Sequence, residues 1–555
     1  VFGFTLRNVT DLLVIFLRRE IMKRLIVVMV AVSAFLFSFA AFAQTEETKA
    51  PEAAGTENIN TLHQAETPAE AVAPVEVAKP VEEVKPAIVA EPVAVAEPVV
   101  AAEPVVVAEP VVEEKAKPGF FTKLGSYINF YGFLRLDVSY DTSRTNDGNI
   151  ALFVKPNKAF IRTNKDYSLT NVDPTNDAEL AISPRLTRFG FTFGNVHSDV
   201  IKADIGGKLE FDFYGGGTEW KELARMRHAY LTVDWPDWFQ LLAGQTSDLF
   251  SPMFPRIDYN GGSWAMGNVG GRRPQLRFTF KPIIFKDHRL FVQLALARAG
   301  AVDGADNDVI DVLGKDANGD PTVTPTAKGN GVNDGDDSGI PMIQWRLAYT
   351  AKLWTAKPFT IGISGYWEQY EMRYTKYDSN TGLYNPTSLS YNGYLVSAEL
   401  NMPILDWWVL RGEFYMGENV KDTLAGVHQG INSEALVDTT RLGGPAVEGV
   451  KTIGFWVDTT VKPVDIWALT VGFMADMPDE DTLPKTVTAK VEATRYKNST
   501  VYVNNEFFLG GGFSIGLEFM HMMTKYKYQP DLNRAEFVSY TATNERIRTY
   551  FAYKF

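Results

Sequence analysis

Apolar and polar positions alternate along most of the chain beyond Gly119, with the two-residue period of a β-strand that has one apolar face. In Tyr131-Gly-Phe-Leu-Arg-Leu-Asp-Val-Ser-Tyr140, Leu134, Leu136 and Val138 take one parity and Arg135, Asp137 and Ser139 the other. The pattern returns in Ile205–Phe213, where Leu209, Phe211 and Phe213 oppose Lys208, Glu210 and Asp212. It returns again in Arg289–Leu296 and in Trp408–Met416, where Arg411 and Glu413 share a face.

A soluble sandwich also alternates, so the spacing of the connections decides, and here short turns take turns with long loops. Turns are expected at 195–198, 236–237, 282–287, 356–358, 403–406, 463–465 and 510–512. Loops are expected at 141–183, 214–222, 246–271, 300–340, 373–389, 417–448, 477–498 and 524–544. The sequence therefore predicts an all-β, 16-stranded antiparallel transmembrane β-barrel over residues 119–555, both ends periplasmic. Sixteen strands enclose an aqueous channel. Trp235, Trp238, Trp354, Trp407, Trp408 and Trp467 fall beside the short turns, where an aromatic girdle meets the bilayer edge. The last strand ends Thr549-Tyr-Phe-Ala-Tyr-Lys-Phe555, and its alternating aromatics with terminal Phe555 resemble the signal read by the barrel-insertion machinery.

One strand carries a conflict. Arg225 and Arg227 share parity with Ala229, Leu231 and Val233, and an arginine facing mid-bilayer lipid costs about 2–4 kcal/mol. They must sit above the membrane or follow a bulge.

The N-terminal region is of another kind. Met22-Lys23-Arg24, the apolar run Leu25–Phe39 and Ala41-Phe42-Ala43 form a signal peptide over 22–43. Residues 1–21 read as an over-extended gene start or a longer leader. Residues 44–118 are a disordered Pro/Ala/Val/Glu-rich spacer in which Glu91-Pro92, Glu97-Pro98, Glu103-Pro104 and Glu109-Pro110 recur. About 75 residues near polyproline II geometry reach roughly 200 Å. The segment is either a periplasmic tail without a partner or a tether reaching the peptidoglycan of the cell wall or the inner membrane.

Composition narrows the function. No span beyond the N-terminus is apolar for twenty residues, which excludes a helical membrane protein. Cysteine is absent, removing disulfides, zinc–thiolate sites and thiol catalysis together. Six histidines lie scattered with no H-E-x-x-H, and Gly215-Gly-Gly217 lacks a following Lys-Ser/Thr, so no enzyme and no cofactor is expected. Nucleic acid is not an expected partner; lipid and lipopolysaccharide are.

Net charge is -13, but the first 118 residues hold -7 and the loop 300–340, with nine Asp against Lys315 and Lys328, another -7. The rest of the barrel is close to neutral. Within that acidic loop Asp316, Asn318 and Asp320 could hold Ca²⁺, yet no twelve-residue frame with a terminal Glu follows, and a solvated loop is the simpler reading.

Lumen parity gathers Arg135, Arg188, Lys208, Arg277, Arg346, Lys352 and Arg411 with Glu210, Glu413 and Asp458, the mixed lining of a wet pore. Residues 246–271 differ from every other loop, being rich in Phe, Met and Trp. Turned outward, that surface would be costly; turned inward as the third loop it narrows the pore. Arg256, Asp258, Arg272 and Arg273 are then the expected constriction residues, and fixed guanidinium charge there implies anion preference.

Gly207-Lys-Leu-Glu-Phe-Asp-Phe-Tyr-Gly215, Arg225-Met-Arg-His-Ala-Tyr-Leu231, Leu242-Ala-Gly-Gln-Thr-Ser-Asp-Leu-Phe250 and Tyr131-Gly-Phe-Leu-Arg-Leu-Asp137 resemble the DcaP-like trimeric outer-membrane porins. The resemblance is firmest over residues 127–300. It implies a homotrimer with a periplasmic extension that admits small organic anions such as dicarboxylates. The chain departs from the family in its Pro-Glu-Val repeat, where a short coiled coil is expected, and in Ser247-Asp248 after Gln245-Thr246. The alternative function is structural, with the barrel anchoring the spacer to the envelope.

Overall fold

The computed structural model describes residues 127–555 apart from 147–149, 157–159, 164–165, 170–176, 217–220, 258–262, 286, 303–308, 316–320, 328–330, 379–382, 433–446, 484–493 and 529–537. Sixteen antiparallel strands close on themselves. They are β1 (Ile128–Asp141), β2 (in two segments, Glu179–Ser183 and Arg188–Ser198), β3 (Ala203–Asp212), β4 (Arg225–Trp235), β5 (Phe239–Ser247), β6 (Arg272–Phe280), β7 (His288–Ala297) and β8 (Met342–Ala351). The second half is β9 (Phe359–Asp378), β10 (Leu383–Leu405), β11 (Trp408–Glu418), β12 (Lys451–Val464), β13 (Trp467–Pro478), β14 (Thr494–Gly510), β15 (Phe513–Tyr528) and β16 (Val538–Lys554).

Closure is made between the first and last strands, with Phe133 opposite Lys554 and Asp141 opposite Arg546. Gly132 and Phe555 exchange backbone hydrogen bonds of 3.2 and 3.1 Å, and the Phe555 ring stacks on Phe130 with centroids 5.2 Å apart. A closed ladder leaves no strand edge, which is what a sheet needs to cross lipid.

Parity sorts the side chains. On β1, Leu134 is 57% and Leu136 40% exposed, whereas Arg135 is 8% and Asp137 3%. Exposed aliphatic and aromatic residues continue around the outside, among them Ile182, Leu231, Leu294, Ile363, Val396, Phe414 and Phe551. This is the exterior of a membrane-spanning barrel. At the turn end Trp238, Trp354 and Trp407 are exposed, and the Trp354 indole N–H reaches the Pro403 carbonyl at 2.7 Å. The expected girdle is present.

Several connections differ from expectation. Residues 195–198, read as a turn, lie within β2, where the ladder to β3 shifts register by one residue beside Gly194. A glycine in a strand pattern also marks a bulge, and the turn follows at 199–202. Residues 373–389 are mostly strand: β9 and β10 stay paired out to Asp378 and Leu383. The β15–β16 ladder likewise runs to Tyr528 and Val538, well into the expected 524–544 loop. Tyr and Thr at these positions favour extended backbone, so the hairpins outrun the apolar band.

Candidate channel constriction

The described residues of the third loop, 248–257 and 263–271, fold into the barrel. Phe250, Ile257, Met266 and Val269 are all buried, and each such side chain removed from water contributes about 1.5–3 kcal/mol. Ile257 and Met266 pack on Trp456, Met474, Tyr502 and Met520 of β12–β15, and Phe250 and Val269 on Met342, Tyr366 and Leu395 of β8–β10. Gly267 lies so close to the wall, at φ 120°, that a Cβ there would meet the Phe455 carbonyl at 2.1 Å and the Ala475 carbonyl at 2.7 Å.

Wall carboxylates fix the loop's backbone. Glu413 accepts the Ser251 hydroxyl at 2.6 Å, the Met253 N–H at 2.9 Å and the Trp456 indole N–H at 2.9 Å. Asp458 accepts the Arg256 N–H at 2.7 Å, and Asn504 donates to the Arg256 carbonyl at 3.2 Å. The first loop (142–178) and sixth loop (419–450) add to the filling: Val154 donates its N–H to Thr524 at 2.9 Å, and Val420 and Ala425 are fully buried.

Across the lumen β2, β3 and β4 carry a cationic cluster built on two carboxylates. Arg225 grips Asp212 through Nε at 2.9 Å and Nη2 at 2.7 Å. Arg227 bridges Glu210 at 2.8 Å and Asp212 at 2.8 Å. Lys208 is 3.1 Å and Arg188 3.7 Å from Glu210, which also accepts the Tyr131 hydroxyl at 2.8 Å. The four cations keep 13–27% of their side chains exposed, while Glu210 keeps 5% and Asp212 none. The exposure at this cluster therefore lies on the basic side chains, with both acids buried.

The register explains how Arg225 and Arg227 come to face the lumen. Glu210 pairs with His228, but Phe211 pairs with Met226, leaving Arg227 as the extra residue of a bulge. That single residue resets parity, so Arg225 joins His228 and Tyr230 on the inner face. Of the two readings of the sequence conflict, the bulge is the one found.

The structure places the sequence-derived constriction residues differently from expectation. Arg273 is fully buried, bound to Asp248 through Nε at 2.8 Å and to Asp422 through Nη1. It clamps the loop's neck and presents no charge to the channel, because two carboxylates enclose it. Arg256 lies on the loop with its charge met by Glu506 at 2.7 Å. Arg272 takes the opposite parity to Arg273, paired with Ser247, and its side chain makes no hydrogen bond or ion pair among the described residues; Arg225, Arg227 and Asp212 are within its electrostatic reach. Asp258 and the Ca²⁺ candidates Asp316, Asn318 and Asp320 lie outside the described residues, as do the signal peptide and spacer.

Among the lining residues, Arg188 and Lys208 belong to the cationic cluster. Arg135 is sealed against Asp137 at 2.7 Å with its guanidinium 3.8 Å above the Tyr550 ring. Arg346 pairs with Glu399, Nε to Oε2 at 3.1 Å, and Arg411 with Asp458 at 2.6 Å. Arg277 is turned onto Gln275 at 3.0 Å and the Ser247 carbonyl. Glu413 is under the third loop, a correction to its expected place on the open lining, since its oxygens are taken by the loop's donors. Lys352 sits exposed in the turn after β8.

Sequence reading missed Arg546, held by Asp141 at 2.8 Å, and Arg548, 3.7 Å from both Asp137 and Glu518. Alternation in β16 placed Arg548 opposite the aromatic face, which was the available signal. With Arg135 these form three arginines on three carboxylates, a buried neutral patch unlike the β2–β4 cluster. Among the described residues no group of three or more His, Cys, Asp or Glu is placed to hold a metal.

A closed sixteen-stranded barrel with an apolar exterior and an inward third loop is the porin fold. Comparison with solved structures agrees: the chain is similar to the outer membrane channel DcaP of Acinetobacter baumannii, at 18% identity over 77% of this chain and 97% of that chain, TM-score 0.51. It also matches an anion-selective porin from Comamonas acidovorans (8% identity, 77% and 99% covered, TM-score 0.41) and OmpT of Vibrio cholerae (11%, 77% and 97%, 0.39). No family model and no curated protein sequence matches the chain. The fold expected from the DcaP-like resemblance is the fold found.

Proposed function

We propose that the protein is an outer-membrane porin for passive diffusion of small hydrophilic solutes, with a preference for organic anions such as dicarboxylates. One observation carries this reading: four cations stand around Glu210 and Asp212, and their side chains keep some exposure while the two acids are buried. An uncompensated cationic wall in a narrow, low-dielectric lumen raises the local anion concentration, and paired guanidinium forks suit carboxylates. The selectivity element in this reading is the β2–β4 wall facing the third loop, with Arg272 beside it, in place of Arg256 and Arg273. The barrel sits among lipid and lipopolysaccharide, assembles as a homotrimer, and carries residues 44–118 as a periplasmic spacer.

Swelling of liposomes containing the purified full chain tests the transport reading. Small dicarboxylates should enter faster than neutral solutes of equal size, and cationic solutes slowest. Equal rates for all three, or none above protein-free vesicles, would overturn it.

A further inference from the structure

The segment from Asn419 to Asn432 lies across the third loop like a strap. The Thr423 and Leu424 carbonyls accept the N–H groups of Gly270 at 2.9 Å and Ala265 at 2.8 Å. Asp422 pairs with Arg273 and accepts the Val302 N–H of the fourth loop at 2.6 Å. On the wall side, Asp476 of β13 accepts the Val427 N–H at 2.8 Å, and Arg495 of β14 donates Nε to the Val427 carbonyl at 3.1 Å. The third loop's returning arm is thus held by the strap, and the strap by two wall residues.

The docked strap holds non-glycine residues in an unfavourable backbone. Leu424, Gly426, Val427 and His428 have φ of 62°, 67°, 47° and 61°, in the left-handed region that a β-branched residue such as Val427 rarely adopts. The strap is held down against its own conformational preference.

His428 ends this strained run. Its Nδ1 is buried with no hydrogen-bond partner among the described residues. The charged groups that act on it are Lys421 of the same loop and Arg495 of β14, both cationic. The carboxylate nearest along the strap's contacts, Asp476, is already occupied by the Val427 N–H and by the Thr452 hydroxyl at 2.9 Å. Burial, then Lys421 and Arg495, hold the imidazole down to about 4.

We infer that segment 419–432 of the sixth loop is an acid-released strap: proton uptake by His428 puts a third positive charge beside Lys421 and Arg495, expels the strap, and frees the third loop so that the lumen widens. The sign follows from linkage. The released imidazole titrates near the ordinary value of 6.5 and the docked one near 4, so docking is favoured above 6.5 and weakens as the pH falls toward 4. Between pH 7 and pH 4 the His428 contribution by itself shifts the balance toward release by roughly a hundredfold.

Hydrogen exchange of the full-length protein in liposomes, corrected for the intrinsic pH dependence of exchange, reads the strap directly. Peptides covering 419–432 and 263–271 should lose protection by roughly a hundredfold between pH 7 and pH 4, and His428→Gln should abolish the loss. Lys421→Gln, a second variant, should move the transition to lower pH. Loss of protection that is the same in His428→Gln, or absent from the unmutated protein, overturns the inference. Conductance recorded in parallel separates this from the transport reading: an exchange step without conductance at either pH supports the strap and counts against the porin.

Discussion

Arg273 and Asp248, twenty-five positions apart, meet at 2.8 Å across the neck of the third loop, with 0% and 1% of their side chains exposed. The β5–β6 ladder sets Thr246 opposite Arg273, so the pair spans the two ends of a loop that must otherwise be held by entropy-costly contacts along its length. Asp422 of the sixth loop completes the clamp from the other side.

Arg273→Gln should free the loop without opening the barrel. Removing one partner of a buried ion pair costs about 3–5 kcal/mol, because the remaining carboxylates lose their counter-charge. Single-channel recordings should show higher and noisier conductance, while the sixteen-strand barrel keeps its heat-dependent gel mobility. Quiet, unchanged conductance would mean that the clamp does not hold the loop.

Gly267→Ala tests the contact between loop and wall. Its Cβ would enter the space of the Phe455 carbonyl, 2.1 Å away, and the loop must lift. Gly216→Ala is the matched control, since Gly216 also has positive φ, 111°, but nothing within 4 Å. The control should lose about 1 kcal/mol of local backbone preference and no more. Protease cleavage within the third loop should accelerate in the first variant alone.

Much of this was legible from alternation. Leu134 and Arg135 fall on opposite faces as their parity required, and the apolar content of 246–271 correctly sent Phe250, Ile257 and Met266 inward. The location of the cationic site was not legible, for two physical reasons. Parity is carried by a period of two, so the one-residue bulge at Arg227 reverses the reading of Arg225. Partner identity depends on chain crossings that no local pattern records: Arg273 finds Asp422 149 positions away and Arg256 finds Glu506 250 away. An arginine at the narrowest loop looks free in the sequence and is paired in the fold.

Glu210→Gln should strengthen the electrostatic signature while weakening the site that makes it. The substitution leaves Arg188, Lys208 and Arg227 with one fewer buried counter-charge. Anion-to-cation permeability should rise and thermal stability should fall, by about 3–5 kcal/mol if the site cannot relax. Bi-ionic potentials and denaturation of the same preparation measure both; a fall in the permeability ratio would reverse the assigned sign of the wall.

Gly132→Val should block closure. A Cβ at Gly132 would stand 2.3 Å from the Arg188 carbonyl and 3.0 Å from the Phe555 ring, at the seam between β1 and β16. Refolding into detergent micelles should yield little heat-modifiable barrel, with the unfolded chain retained. Normal yield would show that the close approach at Gly132 does not govern closure.

The reversal potential across a planar bilayer under a salt gradient puts the cationic wall to its most direct test, in the unmutated protein and in a double variant, Arg225→Gln with Arg227→Gln. The unmutated protein should give a potential of the sign set by anions and the double variant a shift toward zero, with Arg256→Gln changing it far less. A cation-signed potential in the unmutated channel, or a double variant indistinguishable from it, would show that the β2–β4 cations do not set selectivity.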